Sequence, residues 1–423
     1  MSNAPKIRFD GFTQDWKQNE FNSAFTTLQN NTLSRAELVD GSGAALNVHY
    51  GDILVKFGEV LDLKTETLPY IESAQIAEKY KSSYLHNGDV IVADTAEDEA
   101  AGKCTEMLGL GDVPAISGLH TIPLRPQYEF ATGYLGYYLN SDAYHDTLLP
   151  LLQGTKVLSI SKTALQGTSI CYPNDYQEQA QIGDCFRKLD KLIILQQRKY
   201  EKLVALKAAC LDKMFPKNGS KVPEVRFAGF AGEWEPRKFS DLAEIRRGLT
   251  YSPANIREKG IRVLRSSNIA EDQFVYGDED VFVEASAVNI PCANKGDILI
   301  TSANGSTRLV GKHAIIREIP DETAVHGGFM LLATAKNPEF LNAFMSAPWY
   351  AKFITLFVAG GNGAIGNLNK TDLDEQDVVA PTDTEQEQIG ELFKNLDKLI
   401  TLQQHKIEKL KQLKQSMLHN MFV

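Results

Sequence analysis

Residues 178–215 read EQAQIGDCFRKLDKLIILQQRKYEKLVALKAACLDKMF, and residues 385–422 read EQEQIGELFKNLDKLITLQQHKIEKLKQLKQSMLHNMF. The two stretches agree at 23 of 38 positions, at a constant offset of 207 and without a gap. Each carries a seam of steps of three and four residues. It runs through Phe186, Leu189, Ile193, Gln196, Tyr200, Leu203, Lys207, Cys210 and Met214 in the first copy, and through Phe393, Leu396, Ile400, Gln403, Ile407, Leu410, Lys414, Met417 and Met421 in the second. That heptad spacing predicts two long amphipathic helices of the coiled-coil kind. Gln and Lys recur at the same two seam positions, and polar seam residues fix register at some cost in stability. At ~1.5 Å per residue such a helix reaches about 57 Å, enough to hold two domains well apart.

Outward from the helices the repetition continues. Ile7-Arg8-Phe9-x-Gly11-Phe12-x-x-x-Trp16 returns as Val225-Arg226-Phe227-x-Gly229-Phe230-x-x-x-Trp234. Gly88-Asp89-Val90-Ile91-Val92 returns as Gly296-Asp297-Ile298-Leu299-Ile300, and Lys162-Thr163-x-Leu165 as Lys370-Thr371-x-Leu373. A module of roughly 210 residues is too long for a solenoid repeat and suits a domain followed by a helix. The partition is therefore a first domain over 1–175, a central helix over 176–215, a second domain over 216–383 and a second helix over 384–423. Pro216 and Gly219 stop the first helix, and Asn218-Gly219-Ser220 reads as the linker. Short apolar runs such as Ile53-Leu54-Val55, Val90-Ile91-Val92 and Ile298-Leu299-Ile300, separated by Gly- and Asn-rich turns, give the domains a mixed α/β or α+β class. The helices stay alike while the domains diverge, which assigns one shared task to the helices and different tasks to the domains.

The composition narrows the function. The chain has 423 residues and a net charge of −10, which excludes a uniformly basic DNA-coating protein. No apolar run approaches the ~18 residues of a membrane helix, so the expected location is the cytoplasm. Five widely spaced cysteines without a C-x-x-C pair read as reduced packing residues. Gly361-Asn362-Gly363-Ala364-Ile365-Gly366 has dinucleotide-loop spacing but no following amphipathic helix. Gly305 to Gly311-Lys312-His313 has five intervening residues where a phosphate loop needs four, and His stands where Ser or Thr would hold magnesium. Asn337-Pro338-Glu339-Phe340 departs from the amino-methyltransferase site by a glutamate in place of the second proline. No metal cluster is expected.

Charge is uneven along the chain. Residues 1–177 carry −10, whereas 237–265 hold eight basic side chains against three acidic ones. That stretch and the loop after the 298–300 strand supply Arg246, Arg247, Tyr251, Arg257, Arg265, Ser266, Ser267, Asn268, Ser302, Asn304, Ser306 and Lys312. Lysine and arginine neutralise phosphates, and Arg, Asn and Ser on a rigid scaffold read base edges. The first domain offers a sparser set: Asn30, Asn31, Ser34, Arg35, His49, Tyr50, Lys56, Thr95 and Lys156.

Two diverged domains, each opened by Arg-Phe-x-Gly-Phe-x-x-x-Trp and each followed by a near-duplicate helix with Asp-Lys-Leu-Ile-x-Leu-Gln-Gln at 190–197 and 397–404, resemble the specificity subunit of type I restriction-modification systems. Val263-Leu264-Arg265-Ser266-Ser267-Asn268-Ile269 also resembles a segment of that family's recognition domains. The resemblance implies two target recognition domains in tandem, related by a pseudo-two-fold repeat and joined by an antiparallel coiled-coil spacer. Each domain would read one half of a split, asymmetric sequence in double-stranded DNA. It further implies a chain with no catalytic centre of its own, partnered by two modification (methyltransferase) subunits and by restriction subunits, which bring S-adenosylmethionine, ATP and magnesium. Recognition residues are then expected in loops 30–60, 92–98 and 154–157 of the first domain, and 246–268, 301–312 and 360–365 of the second. The alternatives are a coiled-coil scaffold without DNA recognition, which leaves the basic stretch 237–265 unexplained, and a fused methyltransferase, which the altered Asn-Pro-Glu-Phe argues against.

Overall fold

The computed structural model describes residues 4–217, 219–277, 279–319, 323–358 and 366–423. Two long helices dominate it, α1 (Tyr176–Lys213) and α2 (Asp383–Asn420). The chain divides into two compact units: unit 1 is Met1–Gln197 with His405–Val423, and unit 2 is Arg198–Gln404. These units cut across the segments drawn from the sequence, because the seam of each helix serves both. Each unit therefore owns a piece of α1 and a piece of α2.

Unit 1 holds strands β1 (Phe25–Thr27), β2 (Ala45–Val48), β3 (Val60–Asp62), β4 (Tyr70–Ile71), β5 (Val90–Ala93), β6 (Cys104–Leu108), β7 (Ala115–Ser117) and β8 (Thr121–Pro126). One sheet runs β1-β8-β5-β6-β3 and a smaller one runs β4-β2-β7, whose β2–β7 pair is parallel. Unit 2 holds β9 (Ala243–Arg247), β10 (Ile256–Arg257), β11 (Ile261–Leu264), β12 (Val281–Val283), β13 (Ile298–Thr301), β14 (His313–Ile315), β15 (Ala324–His326) and β16 (Met330–Ala335). Its sheets run β9-β16-β13-β14 and β10-β12-β11-β15, whose β11–β15 pair is parallel as β2–β7 is, while the β3–β6 pair of unit 1 is a further parallel one. These sheets match strand for strand apart from β3, which extends the larger sheet of unit 1, and β10, which extends the smaller sheet of unit 2 beyond β12.

The repeated Gly-Asp motif explains itself locally. Gly88 and Gly296 take φ of +90° and +94°, a left-handed turn that favours glycine. The following Asp89 and Asp297 are buried, and each accepts the backbone N–H three residues earlier, His86 and Asn294, at 2.8 Å. The strand that follows is buried at every residue in both copies, as an apolar run in the centre of a sheet should be.

The opening motif is a clamp on the start of a long helix. In unit 1 Arg8 donates through Nε and Nη2 to both oxygens of Glu178, at 2.6 and 2.8 Å, and Trp16 Nε1 donates to the same carboxylate at 3.2 Å. In unit 2 Arg226 meets Glu385 in the same two-pronged way at 2.7 Å. Both glutamates are essentially inaccessible to water, so charge-assisted pairing compensates their desolvation. The pairing with Glu385 raises the pKa of Arg226, and the pairing with Glu178 that of Arg8.

Seam residues close each core. Phe186 packs with Phe422 in unit 1, ring centres 5.7 Å apart, and Phe393 packs with Phe215 in unit 2 at 5.8 Å. Leu189, Gln196, Leu396 and Gln403 are buried, whereas Ile193, Leu203, Ile400 and Leu410 are half-buried. In each unit the α1 and α2 pieces run antiparallel: Phe186 meets Phe422 while Asp190 meets Lys414, and Lys207 meets Asp397 while Phe215 meets Phe393.

Candidate nucleic-acid interface

In unit 2 the structure gathers Tyr251, Arg265, Ser266, Ser267 and Asn304 around a cleft of about 700 Å³, with Phe329 and the glycines 327 and 328 on its wall. Asn304 Nδ2 donates to Ser266 Oγ at 3.0 Å, tying the 301–306 loop to the 265–268 turn. Arg265 gives Nη2 to the Glu279 carbonyl at 2.9 Å, and its Nε is buried with no hydrogen-bond partner. Arg247, Ser267 and Ser306 are exposed, and Lys312 is half-buried. Arg257 is committed to Glu284 and to the carbonyls of Ala254 and Ile256.

Three candidates of unit 2 belong to the framework. Arg246 gives Nη2 to Asp297 at 2.8 Å and to Thr334 Oγ1 at 3.3 Å, because the buried Asp297 requires a cation. Asn268 is fully buried: its Oδ1 accepts the Arg265 N–H at 2.8 Å and its Nδ2 donates to Val275 and Asp280. Ser302 is buried, with backbone bonds to Phe329 and Leu368. Loop 360–365 lies outside the described residues.

Unit 1 presents a different surface. Thr95 pairs with Ser159 across a short antiparallel ribbon, which brings the 92–98 and 154–157 loops together and leaves Lys156 exposed. Tyr50 packs beside His49, ring centres 4.7 Å apart, and edge-on to His120 at 5.3 Å. Burial lowers the His49 pKa, opposed by Asp52, and its Nδ1 accepts the Gly51 N–H at 3.2 Å. Arg35 reaches Asp52 at 3.2 Å, the Ser34 hydroxyl donates to Glu37 Oε2 at 2.7 Å, and Lys56 Nζ donates to the Thr67 carbonyl at 2.7 Å. Asn30 donates to the Gly118 carbonyl at 3.1 Å beside a cleft of about 410 Å³ that Asp94 and Lys162 also line. Asn31 joins the framework: it is fully buried and donates to Ser117 at 2.9 Å.

His120 and Phe329, which the sequence did not single out, stand beside these candidates. Phe329 is 74% exposed, an unusual state for phenylalanine. Its sequence signal was a single aromatic after Gly327-Gly328, just before the largely apolar stretch 330–335. Among the described residues no group of three or more His, Cys, Asp or Glu is placed to hold a metal ion, and no helix is long and apolar enough to cross a membrane. All five cysteines are free thiols.

The chain is similar over 95% of its length, at 16% identity and a TM-score of 0.53, to 96% of a chain from a structure of complex assembly and conformational transition of the type I R-M system. It is also similar over 99% of its length to 99% of the type I restriction-modification S subunit from M. genitalium, at 13% identity and a TM-score of 0.60. At such identities these likenesses speak for the fold. The model of the type I restriction modification DNA specificity domain matches residues 47–205 and again 231–412, one match for each copy of the repeat. The chain belongs to the family of type I restriction modification DNA specificity domains, and it carries that domain twice.

Proposed function

We propose that this chain is the DNA-reading subunit of a type I restriction-modification complex, and that its two units each read one half of a split, asymmetric target. The observation that carries the reading is the repeated framework with exchanged surfaces. The sheets, the Arg–Glu clamps and the helix seams recur, while the residues around the two clefts differ. A reader of two unlike half-sites needs one scaffold with two chemistries, at a spacing set by protein geometry. The long helices supply that spacing.

The same helices serve as docking surfaces for two modification subunits. Leu192 and Leu195 on α1 are exposed beside the seam, and so are Leu399 and Leu402, their counterparts on α2. Identical exposed leucines at equivalent places suit two copies of one partner. Methyl transfer from S-adenosylmethionine and ATP- and magnesium-dependent cleavage then belong to the partner subunits, in the cytoplasm.

The test is methylation-motif sequencing of cells carrying the modification subunit with and without this chain. A split methylated motif found only when the chain is present supports the reading. A stable complex without new methylation replaces it with the scaffold reading.

A further inference from the structure

Two turns at the same station in the two units differ in the side chain they present. Gly118-Leu119-His120 joins β7 to β8, and Gly327-Gly328-Phe329 joins β15 to β16. The backbone bonds around them repeat. Gly118 N–H donates to the Val48 carbonyl at 2.8 Å, and Gly327 N–H to that of Leu264 at 2.8 Å. Asp94 N–H donates to the His120 carbonyl at 3.1 Å, and Ser302 N–H to that of Phe329 at 2.9 Å. Ile160 N–H then reaches Asp94 at 2.8 Å, as Leu368 N–H reaches Ser302 at 2.7 Å. These bonds make His120 the structural equivalent of Phe329, Asp94 that of Ser302, and His49 that of Arg265.

We propose that His120 and Phe329 are specificity-determining residues, each reading a base of its own half-target; this rests on the DNA-reading function proposed above. A residue that keeps its backbone bonds and changes its chemistry is what selection among base edges requires. Phe329 projects from the cleft wall that Tyr251, Arg265 and Asn304 share, and an exposed ring there suits the C5-methyl group of thymine. His120 offers a polar reader. It is held at φ +54°, a conformation uncommon outside glycine, with its Nδ1 3.3 Å from Asp94 Oδ1. The His120 side chain is 47% exposed, and an imidazole ring, with one donor and one acceptor nitrogen when neutral, can meet the polar edge of a base.

The experiment compares the full complex carrying the parent chain, His120→Ala or Phe329→Ala by methylation-motif sequencing. Each variant is expected to relax discrimination about tenfold at one position of one half, a single-base mismatch effect, and to leave the other half intact. On duplexes bearing deoxyuridine for the thymine read by unit 2, the parent should lose affinity to the level of Phe329→Ala, which should itself be indifferent to the change. An unchanged motif in both variants overturns the assignment, and so does equal loss of both halves. If the parent itself directs no split motif, the DNA-reading function fails first, an outcome distinct from a parent motif that the variants share. Phe329→Leu, which keeps an apolar side chain, separates a reading defect from a folding one by retaining thymine preference.

Discussion

Lys414 Nζ lies 2.7 Å from Asp190 Oδ1 in unit 1, and in unit 2 its repeat counterpart Lys207 lies 2.7 Å from Asp397 Oδ1, the counterpart of Asp190. Each lysine thus meets the aspartate of the other repeat, and a seam lysine that looks out of place on a heptad wheel is the ionic lock of an antiparallel pair. The two locks differ in their surroundings. Lys414 also reaches Glu59 at 2.6 Å and lies 5.5 Å from the centre of the Tyr137 ring, whereas Lys207 pairs with Asp397 where both side chains are 27% exposed.

Lys414→Met is therefore expected to cost about 2–3 kcal/mol, because it removes the cation of two carboxylates at once, Asp190 at 27% and Glu59 at 17% exposure. Lys207→Met should cost about 1 kcal/mol or less, as partly solvated pairs do. Denaturant unfolding of the full chain measures both, and equal losses would contradict the ranking.

Burial pushes the Glu106 carboxyl up to about 7, against the N–H donors of Gly133 at 2.6 Å and Gly136 at 3.0 Å. The folded chain then holds a proton that the unfolded chain has released between about pH 4.5 and 7, so this group's contribution falls as pH rises through that window, by about 3 kcal/mol in all. Glu106→Gln should remove that slope. The check is the difference in unfolding free energy between parent and variant at pH 5 and pH 7.5, which must shift in the variant's favour at the higher pH.

Arg246 and Arg247 are neighbours with opposite fates. Arg246→Ala should destabilise the chain by about 3 kcal/mol, since Asp297 stays buried without its arginine. Arg247→Ala should leave stability within about 0.5 kcal/mol and lower the slope of log affinity for DNA against log salt by about one. Thermal unfolding alongside a salt titration of DNA binding separates the two; a salt effect from Arg246→Ala alone would reverse the assignment.

On the helices, Leu396 is 5% exposed and Leu402 is 56% exposed. Leu396→Asp buries a charge in the core of unit 2 and should unfold it. The double variant Leu195→Asp, Leu402→Asp should fold normally and bind the modification subunit at least tenfold more weakly. Co-purification with that subunit, read beside circular dichroism, decides it.

The duplicated seam and the Gly-Asp strands were legible in the sequence, because identity and periodicity survive wherever packing demands the same residue twice. The clamps were legible only as a motif: Arg8 and Glu178 stand 170 positions apart, and nothing in the sequence names one as the other's partner. In the basic stretch, burial decides the use of a charge, which the sequence does not display. Arg246 turns inward to Asp297, and Arg262 pairs with Asp280 between the rings of Tyr276 and Phe282. His120 and Phe329 escaped because their equivalence lies in backbone hydrogen bonds and not in residue identity.

Unit 2 is a continuous stretch of chain, whereas unit 1 is completed by residues 405–423. Those residues place Met421 and Phe422 in the aromatic core beside Trp16, Tyr134 and Phe186. On the ribosome the half that is made first is therefore the half that finishes folding last. Its aromatic core stays open, with Trp16 and Tyr134 lacking the cover of Phe422, until the whole of unit 2 has been synthesised.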